Sequence, residues 1–222
     1  FTGVTYLFVK DILIKSRRRK APAFYSNFFT AFITLFCFLL YNIVMILNFS
    51  NPEKNIQHLN LKEGAVVADF GSGSGHYVFP ISNIVGDSGK VYAVDIQKSL
   101  LMKLQKDVTQ KSIKNIETVW GDVENIGGSK LRASSLDAVV ASNILFQVDS
   151  KSGFVHECNR VLKPGGKVLL VDWSESFGGI GPQPQSVVDE ETAKKLFEQG
   201  GFVLKESMPA GNHHYGMIFI KA

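Results

Sequence analysis

The chain has 222 residues, 45% hydrophobic and 20% charged, with 20 Gly, 7 Pro and 2 Cys, proportions that exclude a disordered, collagenous or disulfide-stapled protein. Cys37 and Cys158 can neither build a secreted-type framework nor complete a zinc site, so a reducing compartment and no metal are expected. The formal net charge of +4 is unevenly spread: residues 1–44 carry six Lys/Arg against Asp11, whereas the remaining 18 basic residues face 19 acids. Everything beyond residue 44 is therefore near neutral, which argues against a broad nucleic-acid-binding surface.

In chain order, the first feature is RRRK at 17–20, followed by residues 21–52 without a charge. Within that stretch, 28–47 is long enough as a helix to cross about 30 Å of hydrocarbon and longer than a signal-peptide core. It is a candidate transmembrane helix and the expected route of any membrane contact. The basic cluster before it would send all that follows to the outer side, an orientation at odds with the nucleotide-dependent domain described next. The chain opens on Phe1, and Met45 begins MILNFSNPEKNIQHL, which reads as a natural start. Residues 1–47 are accordingly read as an extension, an anchor or a foreign segment, and residues 48–222 as the domain.

Ser50, Pro52 and Glu53 predict a capping-box start for a short helix carrying Ile56 and Leu59. The run AVVADF at 65–70 predicts a buried parallel strand. Helices are then expected near 76–85, 99–110, 152–162 and 189–199, with strands at 90–95, 116–120, 136–141, 167–172, 202–206 and 215–221. This alternation defines an α/β, Rossmann-like, doubly wound, seven-stranded sheet, mostly parallel. Only eight residues separate the last two strands, too few for a crossover helix, so they must form an antiparallel hairpin.

Asp69-Phe70-Gly71-Ser72-Gly73-Ser74-Gly75 joins the first strand to the next helix, where glycines let a ligand approach the backbone. A dinucleotide fingerprint, GxGxxG, would need Gly where His76 stands, and Asp69 would repel a pyrophosphate. A ligand bearing an amino group would welcome it. Asp95 ends the second strand, where a carboxylate can accept both ribose hydroxyls or cap the following helix. The third strand ends in Gly121-Asp122-Val123, offering Asp122 to an adenine amine and the Val123 N–H to a ring nitrogen.

DFGSGSG, VYAVDIQ, GDV, DAVVASNILFQV and LKPGGKVLLVDW, in this order, resemble the class I S-adenosylmethionine-dependent methyltransferases, and in general form the small-molecule group that includes ubiquinone/menaquinone-biosynthesis C-methyltransferases. The resemblance covers about 48–222. It implies S-adenosyl-L-methionine as cofactor, with Asp69, Phe70, Gly71, Ser72, Gly73 and Gly75 around the methionine part. It likewise implies Asp95 and Ile96 at ribose and adenine, Asp122 and Val123 at adenine, and Asn143 on the methionine amino side. Asn143-Ile144-Leu145-Phe146 lacks the prolines of the exocyclic-amine signature, and the thiol set of arsenite methyltransferases is absent.

Methyl transfer from a sulfonium depends mainly on positioning and desolvation, so catalytic groups are poorly marked. If the acceptor must lose a proton, the candidate bases at strand exits are Asp172, His213 and His214. Phe146, Trp173 and Tyr215 are candidate apolar walls, and 174–188 is a candidate loop over a small apolar or aromatic acceptor. Two other classes remain open: an NAD-dependent oxidoreductase and a non-catalytic, membrane-anchored protein with a vestigial Rossmann domain. The catalytic domain is expected in the cytoplasm, membrane-associated if 28–47 is an anchor. No pattern in the chain encodes an oligomeric state.

Overall fold

The computed structural model describes residues 50–177 and 181–222. The apolar stretch at 28–47, Met45 and Cys37 lie outside them. Among the described residues no helix is long and apolar enough to cross a membrane.

The chain runs α1 (Pro52–Gln57), β1 (Val66–Phe70), α2 (Val78–Val85), β2 (Lys90–Asp95), α3 (Lys98–Gln110), β3 (Ile116–Trp120) and β4 (Leu136–Ser142). It continues through α4 (Lys151–Val161), β5 (Leu162–Trp173), a 3-10 turn (Pro184–Ser186), α5 (Glu190–Gln199), β6 (Phe202–Gly211) and β7 (His214–Lys221). The seven strands form one sheet in the order β3-β2-β1-β4-β5-β7-β6. β3, β2, β1, β4 and β5 pair in parallel, whereas β7 is antiparallel to both β5 and β6. The expected fold class and the C-terminal hairpin are both present.

Burial on both faces explains the continuous apolar strands. One face packs Ile56, Val78, Ile81, Leu104 and Val108 from α1, α2 and α3. The other packs Phe154, Cys158, Ala193 and Phe197 from α4 and α5. Cys158 is fully buried, and burial pushes its thiol well above the usual range, which suits a packing residue rather than a nucleophile.

Three boundaries differ from the sequence reading. Asn51, not Ser50, caps α1 by accepting the Lys54 N–H at 3.1 Å; the Ser50 hydroxyl instead accepts from Asn55 Nδ2 at 3.0 Å. β5 starts at Leu162 and absorbs the Pro-Gly-Gly turn through a register shift between Leu136 and Ala138 of its partner. β6 continues beyond Glu206 to Gly211. It is an edge strand, where the missing N–H of Pro209 breaks no inner ladder.

Phe154 is fully buried and meets Phe70 edge-on at 6.2 Å, whereas Val203 is 58% exposed. Phe154→Ala should cost about 3–5 kcal/mol in urea denaturation followed by far-ultraviolet circular dichroism, and Val203→Ala within about 0.5 kcal/mol. Equal losses would contradict this placement of the core.

Candidate functional site

The strand order reverses between β1 and β4, so their carboxyl ends leave a crevice where helices depart to opposite faces. A cleft of about 260 Å³ lies there, lined by Gly71 and Gly73, by Asp95, Ile96, Gln97 and Leu100, by residues 121–124, and by Ile144, Gln147 and Val148.

Gly71 has φ +75°, and a Cβ there would lie 2.7 Å from Ile144 Cδ1. Gly73 has φ +52°, and a Cβ on it would meet nothing within 4 Å. The turn is thus tight at its first glycine and open at the second, which borders the cleft. Its N–H groups are largely spent: Gly71 and Ser72 donate to the Val94 carbonyl at 2.8 and 3.1 Å, and Gly73 donates to Asp95 Oδ2 at 2.8 Å. Gly75 donates to the Ser72 carbonyl at 2.8 Å, and α2 starts only at Val78. A phosphate would find few amides to cradle it and two buried carboxylates below it.

Those carboxylates are Asp69 and Asp95, only 2% and 7% exposed. Burial first, and the neighbouring Asp95 second, push Asp69 up to about 7. Asp95 accepts from Gly73 N and, through Oδ1, from Gln97 N at 2.8 Å, leaving one lone pair on each oxygen for further donors. Asp122 faces the cleft with its carboxylate braced by Glu124 N at 3.0 Å and Asn125 Nδ2 at 2.7 Å.

Among the described residues, Ser72 Oγ and Asn143 Oδ1 are buried without a hydrogen-bond partner. Such orphans are uncommon in a folded interior and suit a site that receives a polar ligand. Asn143 adopts φ +55°, and its N–H donates to the Val171 carbonyl at 2.8 Å.

Two buried acids hold the cleft walls. Glu157 accepts from Gly127 N at 2.7 Å, Ser129 N at 3.1 Å, the Ser129 hydroxyl, and Arg160 Nε and Nη2 at 2.7 Å each. Burial alone would raise it, but Arg160, Ser129 and the Gly127 amide outweigh burial and hold it below the usual range. It thereby fixes the loop that follows Asp122. Asp172, 1% exposed, accepts from Leu145 N through Oδ2 and from Trp173 N through Oδ1, each at 2.8 Å. Burial raises it to about 6 against the lowering effect of these amides. Its Oδ2 ties the loop after β4 to β5, while its Oδ1 takes the adjoining Trp173 amide.

Of the sequence candidates, Gly71, Gly73, Asp95, Ile96, Asp122 and Val123 line the cleft, and Asp69, Phe70, Ser72, Gly75 and Asn143 do not. The Phe70 ring lies in the core, leaving only its backbone for a ligand. A Cβ on Gly75 would meet Leu104 Cδ1 at 2.6 Å, so that glycine serves helix packing. Tyr215 is a core residue whose hydroxyl donates to the Val188 carbonyl at 2.9 Å. Ile144, Gln147 and Val148 were not singled out, although the NILFQV motif contains them.

His214 pairs with Trp173 across β7 and β5. It is 4% exposed and packs on the Trp173 ring at 4.3 Å. Burial, then His213, lowers it to about 4, so it stays neutral. His213 lies in the turn between β6 and β7, its Nδ1 2.8 Å from Glu175 Oε1 and its ring stacked on Phe177 at 3.8 Å. A larger hollow of about 510 Å³ lies at the amino ends of β1, β4 and β5, where Lys163 is paired with Asp137 and Lys167 with the Leu59 carbonyl.

Residues 68–170 match a methyltransferase domain family. The chain is 28% identical over 156 residues to a ubiquinone/menaquinone biosynthesis C-methyltransferase of Francisella philomiragia, a match covering 70% of this chain and 60% of that protein. It is 27% identical over 123 residues to a demethylmenaquinone methyltransferase of a Geobacillus species, covering 55% and 51%. The matches thus span about half to three-fifths of these relatives. A crystal structure of a S-adenosylmethionine-dependent methyltransferase from Aquifex aeolicus superimposes with a TM-score of 0.72 and 27% identity, over 79% of this chain and 92% of that one. Fold and crevice are similar to those of the class I S-adenosylmethionine-dependent methyltransferases. Within that class, the chain is similar to the ubiquinone/menaquinone C-methyltransferases. The cofactor of the class, S-adenosylmethionine, fits the residues present, which offer a buried acid awaiting a cation, an acid with free lone pairs, two orphaned polar atoms and a glycine turn open to the cleft.

Because Asp69 titrates higher folded than unfolded, its contribution to stability is full below about pH 4 and is lost as the pH rises through about 7. Ligand-free protein should therefore melt at progressively lower temperature from pH 5 to about 7 and change little above that, and Asp69→Asn should flatten that slope. A wild-type profile matching that of Asp69→Asn would contradict the burial of an ionisable acid here.

Proposed function

We propose that this chain transfers the methyl group of S-adenosylmethionine to a small, apolar or aromatic acceptor. The observation that carries the reading is the buried acid pair under a glycine turn whose amides are already spent, an arrangement that favours an amino acid cation over a pyrophosphate. That also disfavours the NAD-dependent alternative. The acceptor class is supported by the likeness to enzymes of ubiquinone and menaquinone biosynthesis.

Bound S-adenosylmethionine supplies an electrophilic methyl on a sulfonium. Asp69 stabilises the ammonium of the methionine part, while Ser72 Oγ and Asn143 Oδ1 gain partners in that same part. Asp95 accepts the ribose hydroxyls, and Ile96, Asp122 and Val123 hold the adenine. Glu157 and Asp172 keep the two walls in register, so that little reorganisation remains for the in-line displacement.

His213 accepts the proton that the acceptor loses. Glu175 holds Nδ1 and stabilises the imidazolium that forms, leaving Nε2 as the accepting atom. His214 is unsuited to that task because burial keeps it a weak base. With the cofactor held by Asp69, Asp95 and Asp122, its methyl would be available for in-line displacement, with the thioether as leaving group. Gly181 lies against the Trp173 indole, where a Cβ would come within 2.7 Å of the ring.

Against a panel of phenolic and quinol acceptors, His213→Ala should lower turnover by about 100-fold or more with cofactor affinity unchanged, and His214→Leu should retain turnover. Asp95→Ala should weaken S-adenosylhomocysteine binding by about 10- to 150-fold in calorimetry, the loss expected for hydrogen bonds to a charged group. Equal turnover losses at both histidines would overturn the assignment of the base, and an unchanged affinity in Asp95→Ala would overturn the ribose contact.

A further inference from the structure

We propose that the outer face of α3 and β3, built around Trp120, docks the protein on an anionic phospholipid bilayer. Two of the six large hydrophobic side chains exposed among the described residues lie there: Met102 at 73% and Trp120 at 49%. Met102 and Trp120 line one shallow groove of about 490 Å³ with Lys98, and the Trp120 indole N–H donates to the Ile96 carbonyl at 3.0 Å. An edge strand and a surface helix normally present polar side chains at such positions, so a cluster of this kind marks a contact surface.

Charge selects the partner. Beyond residue 44 the chain is net acidic by one, yet residues 98–114 hold five lysines against Asp107. Lys98, Met102 and Lys106 stand four residues apart on α3, so a cationic row flanks the exposed methionine. Lys98 and Lys130 lie 3.8 and 4.6 Å from the Trp120 ring centroid. The acid of β3, Glu117, is paired with Lys90 at 3.0 Å. Long lysines can lie over apolar surface while their heads reach phosphates, and a tryptophan whose N–H is satisfied suits the boundary between headgroup and chain. Nucleic acid fits less well: the face has no arginine, its cations occupy the ring a base would stack on, and it exposes aliphatic groups that a polyanion would leave wet.

This inference does not depend on methyl transfer, and its test does not read activity. An apolar stretch elsewhere in the chain can hold the protein on any vesicle, so the readout is Trp120 itself. The full chain is mixed with vesicles of brominated phosphatidylglycerol or brominated phosphatidylcholine, and tryptophan emission is followed. The phosphatidylglycerol vesicles should quench and blue-shift the emission far more than the phosphatidylcholine vesicles. Trp120→Phe should abolish the quenching, since Trp173 is buried. Lys103→Glu/Lys106→Glu, which leaves the Trp120 contacts intact, should weaken the quenching-derived affinity by about 30-fold, the loss expected for two cations near an anionic surface. Equal quenching by both lipids, no quenching, or quenching unaffected by the lysine reversals would overturn the proposal. So would a Trp120 response to single-stranded RNA with none to vesicles.

Discussion

The structure turns on the burial of two carboxylates, Asp69 and Asp95, at the carboxyl ends of adjacent parallel strands. Water is excluded from both, and their mutual repulsion helps to push Asp69 up to about 7. A fold maintains such a pair only where something offsets it. Asp95 has backbone amides from the glycine turn and from the start of α3. Under the proposed function the offset for Asp69 is the positive end of the ligand, so the electrostatics of the crevice match the chemistry of S-adenosylmethionine.

The same device recurs in milder form around the cleft. Glu157 gathers two amides, a hydroxyl and a guanidinium to hold the loop after β3, and Asp172 gathers amides to hold the loop after β4. These loops bring Asp122, Ile144 and Val148 to the cleft. Each buried acid thus converts an irregular connection into a fixed wall, which a site reliant on positioning requires. Glu157 is held ionised by Arg160, whereas burial pushes Asp172 up to about 6 against its amides and Lys151.

The strands were legible because each is an apolar run ending in a turn signal, and their alternation with amphipathic helices leaves few topologies. The glycine turn and Asp95 were legible because their spacing carries the chemistry. What escaped depends on contacts remote in sequence. Glu175 lies 38 residues before His213, and Glu157 about 30 residues from the amides it binds, distances no local pattern spans. Asp172 looked like a base because it ends a strand at the crevice; that its oxygens face backbone amides is decided by how the β4 loop folds back. β6 runs past the expected end at 206 because a sheet edge tolerates Pro209. The expected helix at 28–47 falls outside the described residues.

The central claim is that the buried acid pair selects a cationic adenosyl ligand, and calorimetric titration of the full chain with S-adenosylhomocysteine and with NADH between pH 6 and 8 tests it most directly. S-adenosylhomocysteine, which carries the amino acid ammonium, should bind, with affinity increasing as the pH rises through about 7 and Asp69 ionises; NADH should bind far more weakly throughout. Tighter binding of NADH, or an S-adenosylhomocysteine affinity independent of pH over that range, would contradict the account.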